Sequence, residues 1–384
     1  MTASPATSPT TSPSVLDPWQ LGRIELANRV VMAPMTRNRA DEHGVLPEVA
    51  IDYYAQRAGA GLIVTEGTQP TAAAQGYPGT PGLHTDVQQA VWAQVADAVH
   101  ARGGRIFCQL MHTGRISHES LIPPGARIVA PSAVRADLEV QTADGRSVPA
   151  PEPAEMTPDD IAEVVEGFAS SAARAVAAGL DGVELHAANG YLLHQFLAPG
   201  TNHRTDAYGG TPAGRARFVV EVTRAVAERI GADRVGIRIS PGGQFNDMDD
   251  QDNDDTYVRL AAEIGELRPA YLHTLRRRST PLHRTLRETW PTTYVLNTGY
   301  NGGSELDDVA PIVAEGAAHL VSVGRLFISN PDLVERWRHG RPRAAWDEET
   351  FYTGGERGYT DYPAWHEPDG SDESSAPTRR GAPA

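Results

Sequence analysis

Eight short runs of apolar and β-branched residues recur along the chain, most of them bounded by glycine, proline or polar residues. Runs of this length that are apolar throughout are typical of parallel strands buried on both faces. We predict strands at Arg29–Pro34, Gly61–Glu66, Arg105–Leu110, Gly182–His186, Val235–Ser240, Ala270–Leu275, Tyr294–Gly299 and Leu320–Arg325.

Stretches with apolar residues at three- and four-residue spacing lie between the strands, a pattern that indicates amphipathic helices. Thr157 precedes Pro158 and two aspartates, which is typical of a capped helix start. Ser304 followed by Glu305 repeats this arrangement. We predict helices at Glu48–Ala58, Asp86–Arg102, Pro158–Ala178, Pro212–Ile230, Asp255–Leu267 and Glu305–Glu315.

The alternation of strands and helices predicts the α/β class, and eight strand–helix units predict a (β/α)8 TIM barrel. A doubly wound sheet is the alternative, although no GxGxxG motif follows the first strand. We assign residues 15–365 to a single barrel domain. The polar, proline-rich segments 1–14 and 366–384 are predicted to be disordered tails.

A long segment, residues 112–156, follows the third predicted strand before its helix begins. An excursion of this length in a compact domain is usually functional, so we predict a lid. Arg127–Val129 and Leu138–Val140 are predicted to form a short hairpin within it. A disordered insertion is the alternative.

The composition of the chain limits which classes of partner and which reactions are possible. The formal net charge is −15, which argues against nucleic acid and anionic membranes as partners. All 34 basic residues are arginine, so no lysine Schiff base can form, and the single cysteine, Cys108, excludes an intrachain disulfide. Neither a signal peptide nor a membrane span is recognisable. We expect a cytoplasmic monomer or homodimer.

Hydrogen-bonding side chains crowd the end of the fourth predicted strand, where His186, Asn189 and Tyr191 follow within six residues. The active site of a TIM barrel lies at the carboxyl ends of its strands. We therefore interpret His186 and Asn189 as donors to a substrate oxygen and Tyr191 as a proton donor. Taken singly, each residue is more typical of ordinary structure than of a functional site.

Glycine-rich turns follow the seventh and eighth predicted strands, at Gly299–Gly303 and at Gly324 before Arg325. The corresponding loops of a barrel often bind phosphate through backbone N–H groups, which we predict here, although most such turns are simply turns. The acidic run at residues 247–255 lacks the glycine of an EF-hand loop. We interpret it as a solvated loop and predict no metal site.

Four motifs resemble the Old Yellow Enzyme family of flavin-dependent ene reductases, and the resemblance extends over residues 16–365. They are NRVVMAPMTRNRA from Asn28, QLMHTGRISH from Gln109, ELHAANGYLLHQFLAPGTNHRTDAYGG from Glu184 and VGRLFISNPDLVERW from Val323. The resemblance implies a barrel that binds FMN noncovalently and takes hydride from NAD(P)H. Thr36 stands where another branch carries cysteine, which indicates the yeast-type and pentaerythritol-nitrate-reductase-like branch.

The resemblance also implies roles for individual residues. Hydride passes from flavin N5 to the β-carbon of an unsaturated carbonyl or nitroalkene, while His186 and Asn189 hold the substrate oxygen and Tyr191 protonates the α-carbon. The implied cofactor-binding residues are Pro34, Met35, Thr36, Gly67, Gln109, Arg238, Gly299, Asn301, Gly324 and Arg325. The implied substrate pocket contains Tyr77, Met111, Asn246 and Tyr352, and Met111 stands where relatives often have tryptophan.

Several alternatives stay open at this stage. Reduction of nitrate esters or nitro compounds is an alternative main activity. A metal-dependent barrel hydrolase would need several histidines and carboxylates at one point, and a non-catalytic flavin-binding protein would not need Tyr191. Arg276–Arg278 follow the sixth strand and favour NADPH through its 2′-phosphate, whereas pairing with the neighbouring aspartates is the alternative.

Overall fold

Eight parallel strands close into a barrel in the computed structural model, which describes residues 12–250, 252–276, 281–299 and 304–365. The strands in these ranges are β1 (Trp19–Leu21), β2 (Ile24–Leu26), β3 (Val30–Met32), β4 (Leu62–Val64), β5 (Ile106–Leu110), β6 (Val129–Ala130), β7 (Glu139–Gln141), β8 (Ser147–Pro149), β9 (Ala154–Glu155), β10 (Gly182–Ala187), β11 (Val235–Ile239), β12 (Tyr271–Leu275), β13 (Thr293–Asn297) and β14 (Leu320–Val323). The barrel runs in chain order through β3, β4, β5 and β10 to β14, which pairs with β3. The predicted (β/α)8 barrel is confirmed.

Helices connect the barrel strands, and each of the six predicted helices overlaps an observed one. The helices are α1 (Val49–Gln56), α2 (Asp86–Ala101), α3 (Pro158–Ala177), α4 (Leu192–Leu197), α5 (Pro212–Ile230), α6 (Asp254–Gly265), α7 (Pro281–Thr289), α8 (Leu306–Ala314), α9 (Leu326–Ser329) and α10 (Leu333–Arg338). The Thr157 side chain caps α3 as predicted, because its hydroxyl accepts from the Asp160 N–H. Helix α7 was not predicted, since it buries only Leu282 and Leu286.

The barrel interior changes from apolar to polar along its axis. Hydrophobic side chains from six of the barrel strands form one cluster with Leu21 and Leu26 of the β1–β2 hairpin. Farther along the strands the buried side chains are polar, and Glu184 and His186 share the inward face of β10 because strand residues alternate in direction. The polar layer therefore lies toward the carboxyl ends, where barrels carry their sites.

The segment between β5 and α3 does not contain the predicted hairpin. β6 pairs in parallel with β9, and β7 pairs antiparallel with β8. The prediction that Arg127–Val129 pairs with Leu138–Val140 is therefore wrong, because the partner of Val129 is Ala154. A local pattern of apolar residues marks strands without identifying the partner of each.

The described residues begin at Ser12 and end at Trp365, so nearly all of the two predicted tails lies outside them. Within the described ranges, no helix combines the length and the apolar character that crossing a membrane requires.

Candidate active site

A cavity of about 810 Å³ lies at the carboxyl ends of the barrel strands. Cavities of this size hold small ligands and cofactors. Its lining includes residues at or next to the carboxyl ends of six of the barrel strands, namely Ala33, Gln109, His186, Arg238, Asn297 and Gly324. The cavity therefore lies where the sequence predicted a site.

The cavity gathers almost all of the residues proposed from sequence. Those that line it are Pro34, Met35, Thr36, Tyr77, Gln109, Met111, His186, Asn189, Tyr191, Arg238, Asn246, Gly299, Gly324, Arg325 and Tyr352. Asn301 lies outside the described residues. Gly67 does not line the cavity. It lies against the side chain of Met111, which does: a Cβ built on Gly67 would lie 2.6 Å from Met111 Sδ.

Several lining residues were missed by the sequence analysis. The β7–β8 hairpin contributes Leu138 and Val140, the loop after β11 contributes Phe245, and the C-terminal segment contributes Trp346 and Phe351. These residues lie in short or irregular segments, where no periodicity marks them. The predicted lid was the one signal that pointed to the hairpin.

His186 is buried in the cavity wall and remains neutral. Burial lowers the pKa of its imidazole well below the ordinary value, and the positive charge of Arg238 lowers the pKa further. Its Nδ1 atom is buried and has no hydrogen-bond partner among the described residues. A buried polar atom without a partner is costly unless something else binds it, so the site is suited to a polar ligand.

Tyr191 lies beside His186, with their ring centroids 5.1 Å apart. The Tyr191 hydroxyl donates to the Tyr77 hydroxyl at 3.1 Å, and the two rings meet edge to face. Tyr191 is 7% exposed, whereas Tyr77 is only partly buried. The two phenols thus connect the interior of the cavity with its outer part.

The turn between β10 and α4 gives Asn189 and Tyr191 their positions. Asn189 and Gly190 have φ angles of +57° and +75°, so the chain turns through two successive left-handed residues. The Asn189 N–H donates to Ser240 Oγ at 2.8 Å, and the Asn246 amide donates to the Asn189 carbonyl at 2.9 Å. Both neighbours therefore fix the strained turn from the β11 side.

Helix α4 holds the same turn from the other side. His194 Nδ1 accepts from the Gly190 N–H at 2.8 Å, and Gln195 Nε2 donates to the Gly190 carbonyl at 2.7 Å. Asp250, fully buried beside His194, also accepts hydrogen bonds from Tyr257 and from the Gly242 N–H. We call His194 and Gln195 the Gly190 clamp. The sequence analysis missed both, and it was wrong to place Asp250 in a solvated loop.

Polar atoms of the cavity floor fit the pyrimidine edge of a flavin. Gln109 supplies an amide and Arg238 a guanidinium, and both line the cavity while nearly buried. Arg238 Nε has no hydrogen-bond partner among the described residues. A cation at this place matches the charge that reduction adds to a flavin.

The opposite end of the cavity fits an anion. Gly324 lines the cavity, and a Cβ added to it would meet no atom closer than 3.6 Å, so the backbone there is accessible. Arg325, which is exposed, supplies a positive charge beside it. Gly299 has a φ of +84° and donates its N–H to Asn297 Oδ1. A guanidinium with accessible backbone suits a phosphate group. Thus the cavity fits FMN at both ends.

Two other predictions from the sequence concern the arginines after β12 and metal binding. Arg276 is exposed after β12, whereas Arg277 and Arg278 lie outside the described residues. Among the residues that the structure describes, no group of three or more His, Cys, Asp or Glu side chains could hold a metal ion.

The chain resembles known proteins over most of its length. The model of the NADH:flavin oxidoreductase / NADH oxidase family matches residues 14–344. The chain is 41% identical to 12-oxophytodienoate reductase 7 of Oryza sativa subsp. japonica, over 92% of this chain and 95% of that protein. It is 40% identical to a Leishmania infantum protein named "Probable flavin mononucleotide-dependent alkene reductase", over 91% and 97%. Morphinone reductase in complex with tetrahydroNAD superposes with a TM-score of 0.88 at 42% identity, covering 94% of this chain and 100% of that chain.

Proposed function

This chain belongs to the NADH:flavin oxidoreductase / NADH oxidase family and, within it, to the Old Yellow Enzyme family, and on that premise we propose how its residues perform alkene reduction. The chain is an NAD(P)H-dependent FMN ene reductase. Bound FMN supplies a hydride carrier between NAD(P)H and the β-carbon of an activated alkene. Gln109, Arg238 and Thr36 would bind its ring system, and Gly324 and Arg325 would bind its phosphate. Gly299, whose N–H is already bonded to Asn297, would line the phosphate end of the cavity.

His186 and Asn189 bind the substrate oxygen. The neutral imidazole offers one N–H, the Asn189 amide offers a second donor, and both side chains line the cavity. Negative charge grows on the carbonyl or nitro oxygen as hydride reaches the β-carbon. One well-placed donor to such an oxygen contributes about 3 kcal/mol. The unpartnered, buried Nδ1 of His186 is the observation that carries this proposal.

Tyr191 donates a proton to the α-carbon. Its hydroxyl lies within the cavity wall and bonds to Tyr77, which is only partly buried. After the Tyr191 proton has left, the Tyr77 hydroxyl donates its own proton to the Tyr191 oxygen and takes a replacement from solvent, since Tyr77 is only partly buried. Positioned general acids contribute roughly 10²–10⁴-fold to a rate.

The Tyr191→Phe variant tests this assignment in single-turnover experiments. Reduction of bound FMN by NADPH, followed anaerobically by the loss of its absorbance, should proceed at the wild-type rate. Reoxidation by an unsaturated ketone should slow at least tenfold, because the proton donor is missing while hydride transfer remains available. Tyr208→Phe, which removes a hydroxyl bonded to Glu221 outside the cavity, is the matched control. Equal slowing of both half-reactions would exclude Tyr191 as the proton donor.

The substrate class, the preferred nicotinamide, the branch of the family and the cellular location are proposals as well. Small activated alkenes are the proposed substrates, bound by Tyr77, Met111, Asn246 and Tyr352. The preference for NADPH, the yeast-type branch and a cytoplasmic monomer or homodimer stay predictions. Glu305 and Asp308 also line the cavity. Their negative charges would repel a second phosphate group beside them, such as the 2′-phosphate of NADPH.

A further inference from the structure

A fully buried carboxylate lies next to the cavity floor, and the proposed reaction does not use it. Glu184 is on β10, two residues before His186, and does not line the cavity. Its oxygens accept hydrogen bonds from Gln109 Nε2 at 2.8 Å, the Tyr271 hydroxyl at 3.0 Å and His273 Nδ1 at 2.8 Å. Three donors around one buried carboxylate match what an ionised side chain needs away from water.

The surrounding strands are shaped to admit these donors. Gly236 is the register partner of Glu184 on β11, and a Cβ at this glycine would lie 2.1 Å from Tyr271 Cζ. The glycine therefore makes room for the Tyr271 ring, whose hydroxyl then reaches the carboxylate. Burial alone would raise the pKa of Glu184, but His273, Arg238 and the Gln109 hydrogen bond together hold it below the ordinary value. Glu184 is thus ionised at neutral pH.

Glu184 acts on both residues that face the flavin edge. Its bond to Gln109 Nε2 fixes the orientation of the amide. The nitrogen of the amide therefore faces the carboxylate, and Gln109 Oε1, which can only accept hydrogen bonds, does not. Its negative charge also interacts with the Arg238 guanidinium across the neighbouring strand, since Arg238 is the register partner of His186. Low local dielectric makes a charge in this position effective over several ångströms.

We propose that Glu184 is a positioning residue that orients Gln109, offsets the charge of Arg238 and thereby holds the midpoint potential of bound FMN below the value that Arg238 alone would set. The inference rests on the proposed FMN site. A flavin with a lower potential gives up hydride more readily to the alkene and accepts it less readily from NAD(P)H. Glu184 therefore balances the two half-reactions.

The Glu184→Gln variant of the FMN-loaded protein tests this inference, because it keeps the shape and removes the charge. An anaerobic redox titration should give a more positive FMN potential, with a change of roughly tenfold in the equilibrium constant for two-electron reduction, a change that corresponds to about 30 mV. Reduction by NADPH should be unchanged or faster, and reoxidation by an unsaturated ketone slower. A variant with merely loosened structure would slow both.

Two further variants separate the possible outcomes. Asp250→Asn neutralises another buried carboxylate. None of the hydrogen-bond partners of Asp250 among the described residues lines the cavity, so this variant should leave the midpoint potential of bound FMN unchanged. If Glu184→Gln does not fold, Tyr271→Phe carries the test: it removes one donor from the carboxylate and should make the potential more negative. Wild-type potential in the folded Glu184→Gln protein, or in Tyr271→Phe where only that variant folds, overturns the inference. Failure of the wild-type protein to bind FMN would instead refute the proposed cofactor site.

Discussion

Met111 and Gly67 illustrate what a single residue decides at this site. Gly67 was expected beside the cofactor and Met111 in the substrate pocket, yet only Met111 lines the cavity. Gly67 accommodates the Met111 side chain, since an added Cβ would lie 2.7 Å from Met111 Cε. The glycine thus serves the packing of a flexible thioether that can adapt to different ligands. Sequence alone could not separate these roles, because the contact joins the ends of two neighbouring strands.

The protonation state of His186 leads to a prediction at the same scale. Burial and the charge of Arg238 depress its pKa, so the imidazole is already neutral well below pH 6.5. The rate of FMN reoxidation by an unsaturated ketone should therefore show no inflection near pH 6.5, when it is measured by stopped flow between pH 5.5 and 8.

The His186→Asn variant is the control for this pH profile, because it cannot titrate in the same range. An inflection near pH 6.5 in the wild type that disappears in this variant would mean that His186 titrates normally and that burial does not keep it neutral.

At the scale of elements, the eight barrel strands were predictable because each is a short run rich in apolar and β-branched residues. The cap of α3 was predictable for a local reason as well, since its side chains bond within three residues. The predicted cap of α8 was wrong by one residue, because Glu305 and not Ser304 stands at its N-cap. The pairing of β6 with β9 was not predictable, because a strand of two residues carries no information about a distant partner. Helix α4 was missed although it follows Tyr191 directly, since all six of its residues are buried and it shows no amphipathic pattern.

The Gly190 clamp predicts that α4 contributes to catalysis without touching the substrate. Gln195→Met keeps the volume but removes the donor to the Gly190 carbonyl and the acceptor for the Arg115 N–H. Loss of a buried partner costs about 1–3 kcal/mol, which the turn can relieve by moving Asn189 and Tyr191. Reoxidation by the alkene should slow by about tenfold, and FMN affinity should stay within twofold, because no cofactor-binding residue loses a contact.

Gln20→Met is the matched control for the clamp, because Gln20 is exposed on the β1–β2 hairpin and its side chain donates to the carbonyl of the nearby Gly22. Its kinetics should equal those of the wild type. An unchanged reoxidation rate in Gln195→Met would show that the turn holds its position without the clamp.

At the scale of the whole molecule, buried arginines connect the two ends of the folded chain. Arg37 donates to the carbonyls of Phe351, 314 positions away, and of Gly358. Arg39 donates to the carbonyls of Thr350 and Thr353. The stacked rings of Tyr53 and Tyr359, 4.0 Å apart, lie in the same region. Such contacts were beyond sequence reasoning, because nothing local indicates which distant carbonyl a buried guanidinium meets.

This connection places the C-terminal aromatic residues over the cavity, because Phe351 and Tyr352 line it and the Phe351 carbonyl is held by both arginines. Arg37→Met should therefore weaken two properties together. The buried Gly358 carbonyl loses its charged donor, at about 1–3 kcal/mol, and the Phe351 carbonyl keeps the donor from Arg39, so the melting temperature should fall by a few degrees. The KM for a bulky unsaturated ketone should rise several-fold more than that for a small one, as the aromatic wall loosens.

Arg23→Met removes an exposed ion pair with Asp233 at the other end of the barrel and should change both values little. If Arg37→Met melts with the wild type but loses affinity for bulky ketones, the arginine orients the segment without stabilising the fold; if neither property changes, the C-terminal segment is held over the cavity by its remaining contacts.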